Sequence, residues 1–336
     1  MYVLYRVILH LNKVEIMENK VNAKMTAVDA ANFLGVTVQS VHKQLKQKDL
    51  ESHKSQNRVY FGHDTAKKLF NIDFKKKVMS FQIVKGGVGK TSLSHAFAVR
   101  ASLYGARVLC IDLDQQGNLT RAFNVNADEL PVMIDMLSQN IPVEDCIVNV
   151  GEGIDVLPSR IENATLDNFI MLNKYPLDRL YKQIINKVKD NYDFIVFDCP
   201  PALGQSVAAA TLASDLVVAT VTPEQFSLNA LQITSGELKT LNKTFDKNVD
   251  LKVVLNKFDN RNALSSEVLS NILNDENIKG SLCNSFIRIC QEFPNTIYAH
   301  TNIFDSLKSN SAKEDIDLFT RELLEVDDVI VKEKVA

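Results

Sequence analysis

The chain has 336 residues, of which 46% are hydrophobic and 24% charged, and this leaves room for one large soluble domain and a small one. A formal net charge of −3 excludes a strongly basic, histone-like nucleic-acid binder, although a single face can still be basic. None of the five cysteines lies in CxxC spacing, which argues against a zinc or iron–sulfur site and favours reduced thiols in a cytoplasmic protein.

Residues 1–24 are predicted to form an extension that need not be ordered. Its opening segment, MYVLYRVILHLNKVEI, is too short to span a bilayer and lacks the small-residue cleavage site of a signal peptide. Met17 is an alternative start, and the sequence leaves open whether the protein begins there or at Met1. We therefore expect no membrane segment.

The polar and basic block 25–70 has the pattern of a helix-turn-helix with its turn at Gly35. Small and apolar residues suit the buried side of the two helices: Ala30, Ala31 and Leu34 on the inner face of the first, with Val36 and Val41 packed beneath the second. The outer face of the second helix would then carry amide, hydroxyl and ammonium groups that can read base edges or contact phosphates. These groups belong to Gln39, Ser40, Lys43, Gln44 and Lys46.

A wing and a third helix are expected to follow in the segment SQNRVYFGHDTAKKLF. The block thus resembles the winged helix-turn-helix of the MerR type, which implies DNA binding. The DNA-binding residues so implied are Gln39, Ser40, Lys43, Lys46 and, on the wing, Arg58. An alternative is a small helical domain used for dimer contacts or partner docking. Residues 71–77 are predicted to link this block to the rest of the chain.

From residue 78 onward, apolar runs alternate with amphipathic segments, the pattern of βαβ units in a mainly parallel sheet flanked by helices. The predicted strands are 78–84, 107–114, 153–159, 192–198, 215–221 and 251–258. The predicted helices include 90–105, 175–191 and 227–243. We therefore predict one α/β domain over residues 78–336.

The stretch QIVKGGVGKTS joins the first predicted strand of this domain to its first predicted helix. Its glycines let the backbone turn tightly and aim N–H groups at an anion, beside the positive end of the helix. Lys90 can reach the terminal phosphates of a nucleotide, and the Thr91 hydroxyl can ligate Mg²⁺. The residues predicted to bind the nucleotide here are Gly86, Gly87, Val88, Gly89, Lys90, Thr91 and Ser92.

The loop departs from the common pattern GxxxxGK[ST], because Val84 stands where the first glycine would be and Lys85 is an additional lysine. It resembles the deviant phosphate loop of the ParA/MinD ATPases, xKGGxGK[ST]. The resemblance covers roughly residues 78–325 and implies a P-loop NTPase fold. It also implies that Lys85 crosses a dimer interface to the phosphates bound by the partner subunit, so that ATP holds a homodimer together.

Two aspartate motifs support the same resemblance. The segment VLCIDLDQQGNLT is similar to the family's DxDPQGNxT, with Gln115 in place of the proline. This implies that Asp112 lies near Mg²⁺ and that Asp114 positions the attacking water. In YDFIVFDCPPALG, Asp198 ends an apolar strand, where a carboxylate can hold the metal through water.

Three further segments resemble the family more weakly. LNKFDNR resembles LNxxDxR, which implies that Asn256 reads the adenine edge. TVTPEQFSLNAL resembles a strand followed by PExxSLxGL, and SFIRICQEF looks like a degraded IPRxxxxxE that lacks its proline.

These motifs together predict a nucleoid-associated, DNA-partitioning ATPase of the cytoplasm. We expect it to dimerise with MgATP, bind nonspecific DNA, and release it after slow hydrolysis stimulated by a ParB-type partner. The N-terminal block would add operon autorepression. Alternatives are a nucleotide-controlled repressor without a partition role and a MinD-like membrane-associated ATPase, although the acidic C-terminal tail disfavours lipid binding. A metal-cluster carrier would need cysteines that are missing, and a metabolic ligase would not explain the N-terminal block.

Basic side chains of the ATPase domain are candidates for nonspecific DNA contacts. They are Lys239, Lys243, Lys247, Lys252, Arg261 and Arg288. The sequence leaves open which of them contact DNA, which operator and ParB-type partner are used, and whether the replicon is a plasmid or a chromosome.

Overall fold

The computed structural model describes residues 20–55, 57–299 and 301–327. Most of the predicted extension, residues 1–19, therefore lies outside the described part. The end of the extension lies against the body of the protein: the Val21 amide donates to the Val150 carbonyl at 2.8 Å and the Lys24 amide to the Phe304 carbonyl at 3.0 Å. Within the described ranges, no helix is long and apolar enough to cross a membrane.

The N-terminal block contains three helices and a small antiparallel sheet. The helices are α1 (Ala27–Leu34), α2 (Val38–Gln47) and α3 (His63–Phe70). The strands are β1 (Met25–Thr26), β2 (His53–Ser55) and β3 (Arg58–Phe61), in the spatial order β1-β3-β2. Two helices, a hairpin and a third helix thus follow one another in the predicted order.

Polar caps set the boundaries of the first two helices. The Thr26 hydroxyl accepts a hydrogen bond from the Asp29 amide at 3.1 Å, and the Asp29 carboxylate accepts one from the Thr26 amide at 3.3 Å. This reciprocal pair satisfies two donors that a helix start would otherwise leave free. Gly35 ends α1 in the left-handed conformation, and the Thr37 hydroxyl then caps α2 through the Ser40 amide.

The prediction that Val36 packs beneath α2 is wrong. Val36 is 39% exposed, because it lies in the turn and its amide donates to the Ala31 carbonyl as part of the α1 cap. Val41 and Leu45 are the buried residues of α2, one helical turn apart. The predicted inner face of α1 is buried at Ala30 and Ala31 and only half-buried at Leu34.

The larger sheet has eight strands in the order β11-β10-β9-β4-β8-β5-β7-β6. Its strands are β4 (Lys77–Phe81), β5 (Val108–Asp112), β6 (Val148–Gly151), β7 (Ile154–Leu157), β8 (Phe194–Asp198), β9 (Leu216–Val221), β10 (Asp250–Phe258) and β11 (Leu282–Arg288). All neighbours are parallel except β6 and β7. Every residue of the three strands β5, β8 and β9 is buried, which explains their unbroken apolar runs. The mainly parallel α/β fold is therefore confirmed.

Helices cover both faces of this sheet. They are α4 (Lys90–Ser102), α5 (Asn118–Ala122), α6 (Met133–Gln139), α7 (Val143–Cys146), α8 (Leu166–Leu172), α9 (Leu180–Val188), α10 (Gln205–Ala213), α11 (Gln225–Phe245), α12 (Ala263–Asn274), α13 (Glu292–Tyr298) and α14 (Ser311–Leu324). The first strand of the domain ends at Phe81, three residues before the predicted end, so residues 82–84 belong to the loop that precedes α4.

The N-terminal block shares a hydrophobic core with the larger domain. The Phe33 ring packs on the Tyr104 ring with centroids 4.6 Å apart. The His63 amide donates to the Glu152 carboxylate at 2.9 Å, and its Nδ1 lies 2.9 Å from the Ser102 carbonyl. The block is therefore packed against the end of α4 rather than tethered by residues 71–77 alone.

Candidate active site

The loop 82–89 leaves the carboxyl end of β4 and runs into the first turn of α4. A cleft of about 1270 Å³ opens beside it. The cleft is lined by Gly86, Gly87, Gly89, Lys90, Thr91, Ser92, Asp114, Asn256 and Lys257, among others. The structure thus brings most of the predicted nucleotide residues to one place. The Val88 side chain is the exception, because it is buried in an apolar cluster and only its backbone remains for a ligand.

Lys90 is a buried cation, only 6% exposed, at the first position of α4. Its ammonium group donates to the Lys85 carbonyl at 3.0 Å. Burial lowers its pKa, and the nearby Asp198 carboxylate works in the opposite direction. A buried ammonium that has one neutral carbonyl as its hydrogen-bond acceptor retains donors for an anion, which suits the predicted contact with phosphates.

Lys85, the second lysine of the loop, is held by its own chain. Its ammonium group donates to the Glu224 carboxylate and, at 2.9 Å, to the Ser227 hydroxyl. The hydrogen bond from Lys85 is the main reason that the pKa of Glu224 is lowered. The predicted contact of Lys85 with a partner's phosphates stays a prediction, and it would require this internal contact to break.

Asp112 and Asp198 lie side by side at the ends of β5 and β8, and both are fully buried. Burial raises the pKa of each carboxyl group. The Asp198 carboxylate accepts hydrogen bonds from the Thr91 hydroxyl at 2.7 Å and from the Ser94 hydroxyl at 3.1 Å. A hydroxyl and a carboxylate in contact at the foot of the cleft are oxygen donors of the kind that Mg²⁺ takes.

Asp112 is engaged on both carboxylate oxygens. One accepts from the Asp114 amide at 3.1 Å, and the other accepts from the Thr120 amide at 2.9 Å and the Thr120 hydroxyl at 2.7 Å. Among the described residues, no group of three or more His, Cys, Asp or Glu side chains could hold a metal ion by itself. The predicted place of Asp112 near Mg²⁺ stays a prediction.

Asp114 stands at the mouth of the cleft, 8% exposed. Its carboxylate accepts from the Gln116 amide at 3.0 Å, and its carbonyl accepts from the Gly117 amide at 2.8 Å. These bonds close a tight turn between β5 and α5 and fix the direction of the carboxylate. Its place in the lining of the cleft is compatible with the predicted contact to an attacking water.

Asn256 lies under the phosphate loop. Its amide nitrogen donates to the Val88 carbonyl at 2.8 Å, and its amide oxygen accepts from the Lys257 amide at 2.9 Å. A Cβ atom built on Gly89 would lie 2.2 Å from that nitrogen, so only glycine fits at this point of the loop. The predicted contact of Asn256 with an adenine edge stays a prediction.

Lys257 and His95 are two of the cleft-lining residues that sequence reasoning missed. Lys257 donates to the Gly87 carbonyl at 3.1 Å. His95 lies one turn into α4, and its ring packs on Phe123 with centroids 4.6 Å apart. A sequence signal existed for Lys257 alone, since it directly follows Asn256 within LNKFDNR.

The predicted DNA-contacting residues of the N-terminal block are mostly exposed. Gln39, Lys43 and Lys46 lie on the exposed side of α2, and Ser40 is half-buried. Arg58 donates one hydrogen bond to the Leu307 carbonyl, so part of its guanidinium faces the larger domain.

The candidates on the larger domain differ in how they are engaged. Lys252, Arg261 and Arg288 are held in ion pairs with Glu322, Asp259 and Asp315, respectively. Lys239 donates to the Asn277 side chain at 2.7 Å. Whether any of them contacts DNA stays a prediction.

Comparison with known proteins agrees with this geometry. A family model described as an AAA domain matches residues 76–253, just over half of the chain. A virulence plasmid ParA family protein of Chlamydia psittaci is 30% identical over 253 residues, which make up 74% of this chain and 94% of that protein.

Two solved structures share the fold at low sequence identity. A McdA variant of Cyanothece in complex with ATP superposes with a TM-score of 0.67 at 16% identity, over 75% of this chain and 98% of that one. A cobyrinic acid a,c-diamide synthase of Mycobacterium smegmatis with bound ADP and magnesium gives a TM-score of 0.63 at 21% identity, over 75% of this chain and 96% of that one. At these identities the likeness shows the fold alone.

The loop geometry and the sequence matches therefore lead to one family. The domain match over residues 76–253 includes the phosphate loop with its two lysines, and the Chlamydia relative matches over 74% of the chain. The chain belongs to the ParA/MinD family of P-loop ATPases.

Proposed function

We propose that this ParA-like ATPase partitions DNA, and that it binds ATP with Mg²⁺ in the cleft beside residues 82–89. The observation that carries the proposal is the pair of lysines at the loop, because Lys90 lies inside the cleft and Lys85 lies outside it on a breakable contact. One lysine is placed for the chain's own nucleotide, and the other is free to serve a second subunit once it leaves Glu224.

The roles of the site residues follow from their positions. Lys90 and the loop amides would hold the phosphates, and the Thr91 hydroxyl with Asp198 would hold Mg²⁺. When bound, Mg²⁺ supplies positive charge that offsets the charge developing on the phosphate oxygens. Asp114 would orient the attacking water, while Asp112, held by Thr120, would keep the turn after β5 in place.

In the proposed cycle two MgATP-bound subunits form a homodimer, with Lys85 of each reaching the nucleotide of the other. The dimer binds DNA without regard to sequence, and a ParB-type partner accelerates the slow hydrolysis that releases it. A slow intrinsic rate makes hydrolysis a timer for the DNA-bound state, and the partner then acts as its trigger. The virulence plasmid origin of the Chlamydia relative supports a partition role by analogy.

The N-terminal block is proposed to contact DNA through α2. Support comes from the exposed Gln39, Lys43 and Lys46 side chains on one helix, which offer an amide for base edges and two ammonium groups for phosphates. This contact would account for operon autorepression. The rival function is a repressor without a partition role, and it differs by predicting binding only to an operator.

The test of the proposal is binding of the full chain to an unrelated plasmid DNA with ATP, with ADP and with no nucleotide, across a salt series. We expect binding that requires ATP and weakens steeply with salt, because phosphate contacts release counterions. Binding that ignores the nucleotide would refute the ATP-switched dimer. An absence of binding to unrelated DNA, with binding to operator DNA, would favour the repressor.

Point substitutions separate the two DNA functions better than a deletion would, because the N-terminal block shares a core with the larger domain. Gln39→Ala with Lys43→Ala should weaken operator binding and leave ATPase activity unchanged. Asp114→Ala should retain ATP and trap the DNA-bound dimer. Faster hydrolysis in that variant would contradict the role proposed for Asp114.

A further inference from the structure

Two consecutive side chains at the end of β10 hold two consecutive carbonyl groups of the phosphate loop. Asn256 donates from its amide nitrogen to the Val88 carbonyl at 2.8 Å. Lys257 donates from its ammonium group to the Gly87 carbonyl at 3.1 Å. The loop is thus fastened from the side of β10 at two adjacent peptide groups.

Fastening a carbonyl also fixes the N–H group of the same peptide. A trans peptide is planar, and its C=O and N–H bonds point in opposite directions. Holding the carbonyls of Gly87 and Val88 toward β10 therefore turns the amides of Val88 and Gly89 away from β10. Backbone amides aimed in this way are the donors with which a glycine-rich loop holds phosphate groups.

The backbone at Lys257 is strained in a way that serves this contact. Its φ angle is +54°, in the left-handed region that a lysine rarely occupies. The pairing of β10 with β11 also shifts register between Leu255 and Phe258. Bulges and strained residues re-aim side chains next to functional sites, at a cost that the surrounding fold must bear.

Local contacts also hold Asn256, which is buried, whereas Lys257 is exposed. Asn256 is 6% exposed, and its amide oxygen accepts from the Lys257 amide at 2.9 Å, which directs the nitrogen to the loop. Glycine at position 89 lets the Asn256 side-chain nitrogen come this close to the loop, since a Cβ atom at position 89 would overlap that nitrogen. Asn256 is therefore built into the underside of the loop.

We propose that Asn256 and Lys257 are positioning residues that aim the amides of Val88 and Gly89 at the phosphates of the bound nucleotide. Lys257 adds a positive charge at the rim of the same cleft. This inference concerns nucleotide binding in the family's established site, and it does not depend on the partition role. It places Asn256 at the phosphate end of the nucleotide, whereas its contact with the adenine edge is predicted from its motif alone.

The test compares equilibrium binding of MgATP and MgGTP by isothermal titration calorimetry for the wild-type chain and for Asn256→Ala, Lys257→Asn and Lys257→Arg. Asparagine tolerates the left-handed conformation but cannot reach Gly87, whereas arginine can. Loss of one such hydrogen bond should weaken the binding of both nucleotides about tenfold, and Lys257→Arg should restore most of it. The matched control is Lys243→Asn, which changes an exposed lysine on α11.

The ratio of the two affinities decides between the two roles of Asn256. Equal losses for ATP and GTP in Asn256→Ala support the positioning role, because both nucleotides carry the same triphosphate. A loss for ATP alone would overturn it in favour of adenine recognition. Unchanged affinities in Asn256→Ala and Lys257→Asn would overturn the proposal altogether. Melting temperatures without nucleotide should stay within a few degrees of wild type for Lys257→Asn, which separates a loss of binding from a loss of folding.

Discussion

The two ends of α4 each carry a buried cation, and they differ in whether a carboxylate accepts its hydrogen bonds. At its first residue, the Lys90 ammonium is buried with the Lys85 carbonyl as its hydrogen-bond acceptor. Near its last residue, the Arg100 guanidinium is buried with Asp317, whose carboxylate accepts from Nε at 2.7 Å. The same carboxylate accepts from the Tyr104 hydroxyl, and Arg100 also contacts the Met25 sulfur at 3.4 Å.

The pKa values reflect this difference. Burial lowers the pKa of Lys90. Burial also acts to lower the pKa of Arg100, but the charge and hydrogen bond of Asp317 outweigh it and the pKa is raised. One end of the helix therefore keeps a charge for a ligand, and the other end has its charge neutralised by the protein. The first arrangement suits the predicted contact with nucleotide phosphates. The second holds α4 to α14, with the Met25 sulfur of the N-terminal block against the same guanidinium.

The largest effect is expected from Arg100→Ala, which removes the ion pair of Arg100 with Asp317 near the last residue of α4. It removes the guanidinium nearest to the half-buried Asp317 carboxylate, which keeps only the Tyr104 hydroxyl and the more distant Arg321 among the contacts of the described residues. It also removes contacts to Tyr104 and Phe304. We expect a loss of about 4 kcal/mol in the free energy of unfolding, measured with urea, and nearly unchanged ATP affinity. Arg179→Ala is the control, because that side chain is 72% exposed, and it should cost little. A large loss of ATP affinity in Arg100→Ala would show that the two ends are coupled.

Lys90→Ala removes the buried ammonium group that is predicted to contact the nucleotide phosphates. We expect MgATP binding to weaken about a hundredfold, since a charged contact to phosphate is lost. The stability of the nucleotide-free protein should hardly change, because the buried ammonium has no carboxylate acceptor among the hydrogen bonds of the described residues. Titration calorimetry and urea unfolding measure the two effects on the same variant. A strong destabilisation without nucleotide would mean that Lys90 is part of the fold rather than kept for a ligand.

His95, also on α4, should make the stability of the protein depend on pH. Burial lowers its pKa to about 4, and among the described residues its Nε2 atom has no hydrogen-bond partner. The unfolded chain, with a histidine pKa of about 6.5, then binds more protons between pH 6.5 and 4, so stability falls as the pH drops through this window. Between pH 7.5 and 4.5 we expect wild type to lose about 2 kcal/mol more than His95→Gln. The prediction would be contradicted if the urea midpoints of the two proteins fell by the same amount between these two pH values.

The smallest effect is expected from Glu224→Gln, which removes the carboxylate that pairs with the Lys85 ammonium group. The pair is partly exposed, with side chains 22% and 57% accessible, so its contribution is below about 1 kcal/mol. Under the proposed cycle the substitution should raise ATP-dependent dimerisation about threefold, measured by sedimentation with a slowly hydrolysed ATP analogue. The control Glu237→Gln changes another acidic residue of the same region and should leave dimerisation unchanged. Weaker dimerisation in Glu224→Gln would place Glu224 in the interface itself.

Much of the fold and of the site could be predicted from the sequence, because the relevant signals are local. The glycines before Lys90 and Thr91, the apolar run before Asp198, and Gly35 between two helices each express a short-range rule. Some local features were missed as well: Val36 is exposed because the cap of α1 draws it into a turn, and the edge strand β6 forms a short hairpin with β7. Short-range rules fail altogether where contacts come from distant residues, as in the pair of Lys85 and Glu224.

By itself the sequence determined the P-loop, its two lysines, the alternation of strands and helices, and the family that these identify. Only the tertiary structure decided that Lys85 rests on Glu224, that Asn256 and Lys257 fasten the loop, and that Arg100 pairs with Asp317. The physical reason is distance along the chain. A motif encodes the conformation of its own residues, whereas the partner of a buried charge can lie more than two hundred positions away, as Asp317 does from Arg100.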